Sequence, residues 1–184
     1  MRFLDIVLSV LFIIVFSIPF AIIALFVKLT SPGPIFYWSE RVGYMNRIFL
    51  MPKFRSMSVG APVVATHLLK DQDYLTPIGK ILRKTSLDEL PQLFSVFVGD
   101  MAFVGPRPAL FNQDDLIQMR TLKNIHTIRP GITGWAQVNG RDEISIEQKV
   151  ALDEVYLHKK SLWFDIKILF ITFKKVLVGS GVSH

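Results

Sequence analysis

Two adjacent carboxylates, Asp88 and Glu89, stand in the segment Ser86-Leu-Asp-Glu-Leu-Pro-Gln-Leu93. One role for them is structural. Ser86 with Glu89 has the spacing of a capping box, and acids are favoured in a first helical turn. With Ser86 as cap, Pro91 would fall where an amide hydrogen is needed. With Asp88 as cap, it falls where none is. From spacing alone, capping is the better reading. The other role is phosphoryl chemistry. A carboxylate with an ordinary pKa of about 3.9 is ionised at neutral pH and can attack phosphorus without a general base. The obstacle is repulsion, roughly 4 kcal/mol for two unit charges about 4 Å apart at an effective dielectric of 20. Cations must therefore stand nearby. Glu89 offers a ligand for Mg²⁺, which binds through one or two carboxylates plus substrate phosphates. Arg83, upstream of the pair, offers a bidentate phosphate clamp.

Three further segments carry candidate binding groups. In Gly99-Asp-Met-Ala-Phe-Val-Gly-Pro-Arg-Pro108, Pro106 and Pro108 stiffen the backbone around Arg107, which either aims a guanidinium or makes a rigid turn with a solvated arginine. The stretch from Arg129 to Arg141 contains Gly131, Gly134 and Gly140, which permit close backbone approach. Gln137 and Asn139 lie within it as candidate readers of a sugar, and Trp135 either stacks on a base or fills a core. Lys53 and Arg55 form a small basic cluster behind a predicted strand. There is no P-loop and no dinucleotide fingerprint, and His67, His126, His158 and His184 are scattered. P-loop chemistry and zinc hydrolysis are therefore not expected. Asp153 and Tyr156 share a helix face, the spacing of a structural pair.

The elements that must position these groups are only partly periodic. Ile6 to Val27 is free of charge and long enough to cross a bilayer, about 33 Å as a helix. Ser17 and Pro19 lie near its middle, so a kink is expected. A spanning helix and a helix that dips in and returns both remain open, and a signal peptide fits poorly for want of a cleavage site. Two short strands, Ile35 to Trp38 and Ile48 to Met51, suggest a hairpin across Gly43 to Asn46. Residues 58–74 read as a surface loop. Helices are expected over Ile78 to Arg83, from near Asp88 through Phe97, over Asp114 to Asn124 and over Ile146 to His158. Arg129 to Arg141 reads as a structured loop. The apolar stretch Leu162 to Val178, with Lys160, Lys167 and Lys174 seven apart, predicts a lysine-striped helix. It suits either a membrane surface or a core edge.

Composition narrows the class. The 184 residues are 51% hydrophobic and carry a net charge of +6, and their mean hydropathy is +0.40. Such a chain is too apolar for disorder, and its basic excess fits an anionic membrane or phosphorylated substrates better than nucleic acid. Cysteine is absent, which excludes disulfides, a thiol nucleophile and thiolate metal sites.

Taken in order, LDELPQLF at 87–94, GDMAFVGPRP at 99–108, RPGITGWAQVNGR at 129–141 and SGVS at 180–183 make the chain resemble the bacterial sugar transferases. The likeness is to the small PglC-type monotopic phosphoglycosyl transferases, over about residues 3–183. The resemblance implies an α+β, mainly helical fold. A re-entrant membrane helix broken at Ser17/Pro19 would occupy residues 1–28. A cytosolic catalytic domain with a short β-hairpin and interfacial amphipathic helices would occupy residues 29–184. It implies transfer of a phosphosugar from a UDP-sugar to polyprenyl (undecaprenyl) phosphate, with Mg²⁺, on the cytoplasmic face of the bacterial inner membrane. Asp88 would form a covalent aspartyl-phosphosugar and Glu89 would bind metal. Arg83 would lie near the phosphates, and Pro106, Arg107 and Pro108 in the nucleotide pocket. The resemblance overturns the capping reading of Asp88. The family's break is an adjacent Ser-Pro, whereas here Ile18 separates Ser17 from Pro19, which leaves the angle open. Larger members carry further helices and a further domain, so a bare catalytic unit is expected here. Lys53, Arg55, Arg129, Gln137, Asn139 and Arg141 complete the candidate substrate-binding set. No nucleic-acid partner is expected, and the sugar and oligomeric state stay open. The rival readings are a nucleoside-diphosphate-sugar hydrolase, which would need no lipid phosphate, and a non-enzymatic membrane adaptor, which would be indifferent to Asp88.

Overall fold

A computed structural model describes residues 2–62, 74–140 and 144–178. His67, Arg141, His184 and the SGVS segment lie outside the described residues, as does most of the loop expected over 58–74. The fold is α+β and mainly helical, as expected.

The apolar N-terminal run forms two helices, α1 (Arg2–Val15) and α2 (Ser17–Thr30), whose axes differ by 62°. Pro19 gives no amide hydrogen to the Val15 carbonyl and crowds it, so the bend falls one turn earlier. It lies at Phe16, where φ is −91° and ψ is 7°. Ser17 donates its hydroxyl to the Ile14 carbonyl at 2.8 Å, satisfying one acceptor at the break. Among the described residues no single helix is long and apolar enough to cross a membrane, although the bent pair together has the length and composition. Only Ser9, Ile23 and Val27 of the two helices are buried, while Phe3, Leu11, Ile14, Ile18, Leu25 and Leu29 are exposed.

The hairpin is longer than expected. β1 (Phe36–Val42) pairs antiparallel with β2 (Ile48–Phe54) through a turn containing Met45 and Asn46 at positive φ. Ser39, Glu40 and Arg41 hid the second half of β1 from a hydrophobicity reading. That half is held from both sides, because β1 is the central strand between β2 and a short β4 (Ala109–Leu110). Pro52 is tolerated in β2 because β2 is an edge.

α3 (Gly79–Thr85) ends at Ser86, whose φ of 57° turns the chain sharply. Leu87–Glu89 then form a 3-10 turn, and α4 (Gln92–Val98) begins only after Pro91. The expected helix start near Asp88 is therefore displaced. Ser86 closes α3 through its backbone N–H, but neither Ser86 nor Asp88 caps a helix N-terminus with its side chain, and the capping box found here is Ser145 with Gln148 at the start of α7 (Ile146–Lys159). α4 is clamped at its far end by Arg2, which donates to the carbonyls of Val96 and Phe97. Phe94 of α4 also stacks edge-on against Phe20 of α2.

The stretch read as a loop over 129–141 contains β5 (Gly131–Thr133) and α6 (Trp135–Asn139). Its glycines masked the strand, yet they are what the strand needs. β5 runs parallel to β3 (Ala102–Val104), and a Cβ on Gly131 would lie 2.1 Å from the Gly105 nitrogen. Gly131→Ala is therefore expected to destabilise by about 1–3 kcal/mol through forced backbone separation, read by denaturant unfolding. α5 (Asp114–Leu122), α7 and α8 (Leu162–Val178) complete the chain. Asp153 and Tyr156 are both buried, but each serves a different partner. Asp153 takes Arg120, and the Tyr156 hydroxyl lies 2.8 Å from Asp165 and 3.0 Å from the Val104 carbonyl.

α8 is not a core helix, since Ile168 is its only buried residue among the described side chains. The lysine stripe is shorter than expected. Lys160 ends α7 instead, while Lys167 and Lys174 lie over the rings of Trp135 and Phe170. The outer face otherwise presents Trp163, Ile166, Phe170 and Phe173.

Candidate active site

Four elements bring charged side chains together at the acid pair, in a cavity of about 360 Å³. The left-handed turn at Ser86 and the 3-10 turn after it deliver Asp88 and Glu89. β2 supplies Lys53 and α3 supplies Arg83, whose Nε donates to the Ser56 hydroxyl at 3.2 Å. The turn after β3 supplies Arg107. Glu89 Oε1 accepts from Lys53 Nζ and from Arg107 Nη2, each at 2.7 Å. One carboxylate thus holds two cations side by side.

Asp88 differs from its neighbour. It is 7% exposed and makes no hydrogen bond or ion pair among the described residues. Burial raises its pKa and outweighs the opposing charge of Lys53, and the Glu89 charge raises it further. Burial pushes Glu89 up as well, but the Arg107 and Lys53 charges and their hydrogen bonds overcome it and hold that carboxyl well below its usual range. The pair is therefore split into a locked carboxylate and an unpartnered, desolvated one. Such a split is how acidic residues take separate roles.

Arg107 is aimed by its backbone. Arg120 donates to the Arg107 carbonyl at 2.8 Å, and Arg41 donates to the Pro108 carbonyl at 3.1 Å. Arg120 is itself fixed by Asp153 of α7, at 2.6 Å and 3.0 Å, in a pair buried on both sides. Neither arginine stood out in the sequence, because their contacts join residues far apart in the chain.

Among the described residues six basic side chains line the cavity, namely Lys53, Arg83, Arg107, Arg120, Lys149 and Lys175, against the carboxylates of Asp88 and Glu89. Among the described residues no histidine lines it. Gln137 also lines it, and both polar atoms of its amide are buried without a hydrogen-bond partner. The remaining expected residues lie elsewhere. Arg55 is buried and donates to Ser31 and to the Pro32 carbonyl, so it ties down the Thr30–Pro34 turn. Arg129 donates to the Gly99 carbonyl and lies over Tyr44. Asn139 bonds back to the Trp135 carbonyl. Pro106 and Pro108 line a smaller cleft on the other side of their turn. Lys149 of α7, and Thr172, Lys175 and Val176 of α8, line the cavity without having been expected.

The profile of the family described as bacterial sugar transferase matches residues 1–179. This chain belongs to that family. It is 42% identical over 158 residues to a Bacillus subtilis (strain 168) protein named uncharacterized sugar transferase EpsL, covering 86% of this chain and 77% of that one. It is 42% identical over 187 residues to the UDP-glucose:undecaprenyl-phosphate glucose-1-phosphate transferase of Escherichia coli (strain K12), covering 96% of this chain. It is 38% identical over 187 residues to the UDP-N-acetylgalactosamine-undecaprenyl-phosphate N-acetylgalactosaminephosphotransferase of Aeromonas hydrophila, covering 98% of this chain. Of the latter two proteins the chain spans only 40% and 44%.

The family's expected Mg²⁺ can be tested against the donors present. Among the described residues no group of three or more His, Asp or Glu side chains forms a cage. Two adjacent carboxylates do fit a Mg²⁺ that completes its shell with substrate phosphates and water. Among the described residues Glu89 Oε2 has a 3.5 Å contact with Arg107, and Asp88 makes no hydrogen bond or ion pair, so these oxygens are the available donors. The raised pKa of Asp88 sets a pH expectation for any reaction in which it must be ionised. The rate should fall on acidification with a midpoint above the ordinary Asp value. Lys53→Met should move that midpoint higher still, because Lys53 favours the ionised form. A pH–rate profile of both proteins measures this.

Proposed function

We propose that this chain transfers a sugar phosphate from a UDP-sugar to polyprenyl phosphate in two steps. Asp88 Oδ attacks the sugar-proximal phosphorus. An aspartyl O–P bond forms, and the bond to the departing UMP breaks, leaving the electron pair on UMP. An oxygen of polyprenyl phosphate then attacks the same phosphorus, and the Asp88 carboxylate departs with its electron pair. Both nucleophiles are already anions, so no general base is required.

The observation that carries the reading is Asp88 itself, buried and, among the described residues, unpaired in a cavity that Lys53, Arg83, Arg107, Arg120, Lys149 and Lys175 line. Arg83, Lys53 and Arg107 offset the phosphate charge, and preorganised cations of this kind supply most of the stabilisation in phosphoryl transfer. Glu89, with Asp88, would hold Mg²⁺, which when bound neutralises charge on the diphosphate. The Gln137 amide, whose polar atoms are buried without a hydrogen-bond partner among the described residues, would read neutral polar groups of the donor. We assign residues 29–184 to the catalytic domain and residues 1–28 to a re-entrant anchor at the cytoplasmic face. The outward apolar residues of α1, α2 and α8 support that assignment.

The first test is UMP release from a panel of UDP-sugars, by protein in detergent with Mg²⁺, with and without undecaprenyl phosphate. Sustained release that requires the lipid phosphate is expected. Sustained release without it would replace the transferase by a hydrolase. The anchor has its own test. The chain has no cysteine, so Phe3→Cys and Leu29→Cys, both at exposed positions, each give one label. Both should react only from the cytoplasmic side, and periplasmic labelling of either would mean a spanning helix.

A further inference from the structure

We propose that the inner edge of α8 is the subsite for the acceptor, a phosphate monoester on a long apolar chain, and that Lys175 is the cation that binds its phosphate. This inference rests on the transferase reading above. Three observations carry it. First, Lys175 and Val176 both line the cavity that holds Asp88, and Val176 is 56% exposed. The cavity therefore reaches the surface along α8. Second, Lys175 makes no ion pair among the described residues, unlike Lys53 and Arg107, which share Glu89, and Arg120, which is locked to Asp153. Among the described residues it is a cavity cation with no carboxylate paired to it. Third, the helix changes character across its width. Trp163, Ile166, Phe170 and Phe173 face outward, while Thr172 is tied by its hydroxyl to Thr133 of β5 at 2.8 Å.

That cross-section matches an acceptor with one charged end. An apolar tail can lie along the exposed strip while its phosphate turns inward past Val176 to Lys175. A nucleotide diphosphate has no use for an apolar approach, and the cations set around Asp88 and Glu89 suit it better. Ping-pong chemistry requires both phosphates to reach the same atom in turn. A separate cation at the mouth lets the second one arrive without competing for Lys53 and Arg107.

The test uses two probes that do not require the sugar to be known, UDP and farnesyl phosphate, each titrated into the purified full chain in detergent by calorimetry. Wild type should bind both. Lys175→Met should weaken farnesyl phosphate by about ten- to a hundredfold, the range for losing one charge-assisted contact. UDP affinity should be unchanged, which also reports an intact fold. Lys175→Arg should restore most of the loss. Equal farnesyl phosphate affinity in Lys175→Met overturns the assignment, as does a loss confined to UDP. Wild type that binds UDP but not farnesyl phosphate removes the acceptor site and leaves the donor reading standing. Wild type that binds neither removes the transferase reading as well.

Discussion

Asp88→Asn is expected to lower sugar-phosphate transfer by at least about 10⁴-fold, the scale on which removal of a covalent nucleophile acts. The substitution keeps size and shape but replaces an anionic oxygen by a neutral amide, which does not attack phosphorus. Glu89, Lys53 and Arg107 keep their mutual contacts, because none of them depends on Asp88. In the absence of Mg²⁺, UDP should therefore bind as well as before or better, since a negative charge facing the diphosphate is gone. The variant should also be more stable. The folded-state pKa of Asp88 is raised by burial, so its ionised form opposes folding. The favourable contribution is complete below the unfolded pKa and is lost as pH rises through the folded one. At neutral pH the neutral amide escapes that penalty, and Tm should rise. Turnover, UDP titration and thermal unfolding of one preparation check all three. Turnover near the wild-type rate would remove Asp88 from the chemistry.

Asp153→Ala is expected to cost about 3–5 kcal/mol, because it leaves the buried Arg120 guanidinium without its counter-charge. Asp153 is buried in α7, and Arg120 joins it to the Arg107 carbonyl. The loss should therefore not stop at stability. The Pro-Arg-Pro turn would lose one of its two arginine clamps, and kcat should fall even at temperatures where the variant is folded. Asp153→Asn keeps an acceptor for Arg120 and should lose less on both counts. Chemical unfolding of the two variants in detergent, with kcat measured well below the transition, separates the effects. An Asp153→Ala protein as stable as wild type would show that the pair is dispensable.

The helices with long apolar stretches were legible from sequence, since hydrophobicity alone marks Ile6 to Val27 and Leu162 to Val178. The acid pair, Arg83, Lys53 and Arg107 were all candidates from sequence and all line one cavity, but spacing alone favoured a cap for the acids and a rigid turn for Arg107, and only the resemblance reversed that for Asp88. What sequence concealed was contact order. Arg120, Lys149 and Lys175 reach the cavity from α5, α7 and α8, and no local spacing records that. β5 was hidden because Gly131 contributes no side chain to a pattern, although its missing Cβ is what lets the strand approach Gly105. Arg55 misled for the converse reason. It sits two residues from Lys53, but the end of β2 turns it to the opposite side, where the Ser31–Pro32 carbonyls take it.

The clamp of Arg2 on the far end of α4 has a consequence for where chemistry happens relative to lipid. α4 is a seven-residue rod, about 10 Å long, with Arg2 at one end and the acid pair just beyond the other. Phe20 of α2 braces it from the side. If the anchor lies in the bilayer as proposed, the elevation of Asp88 above the hydrocarbon is a dimension of the protein, set like the height of a workbench. A lipid phosphate would have to rise to that fixed level, whatever the thickness of the membrane around it.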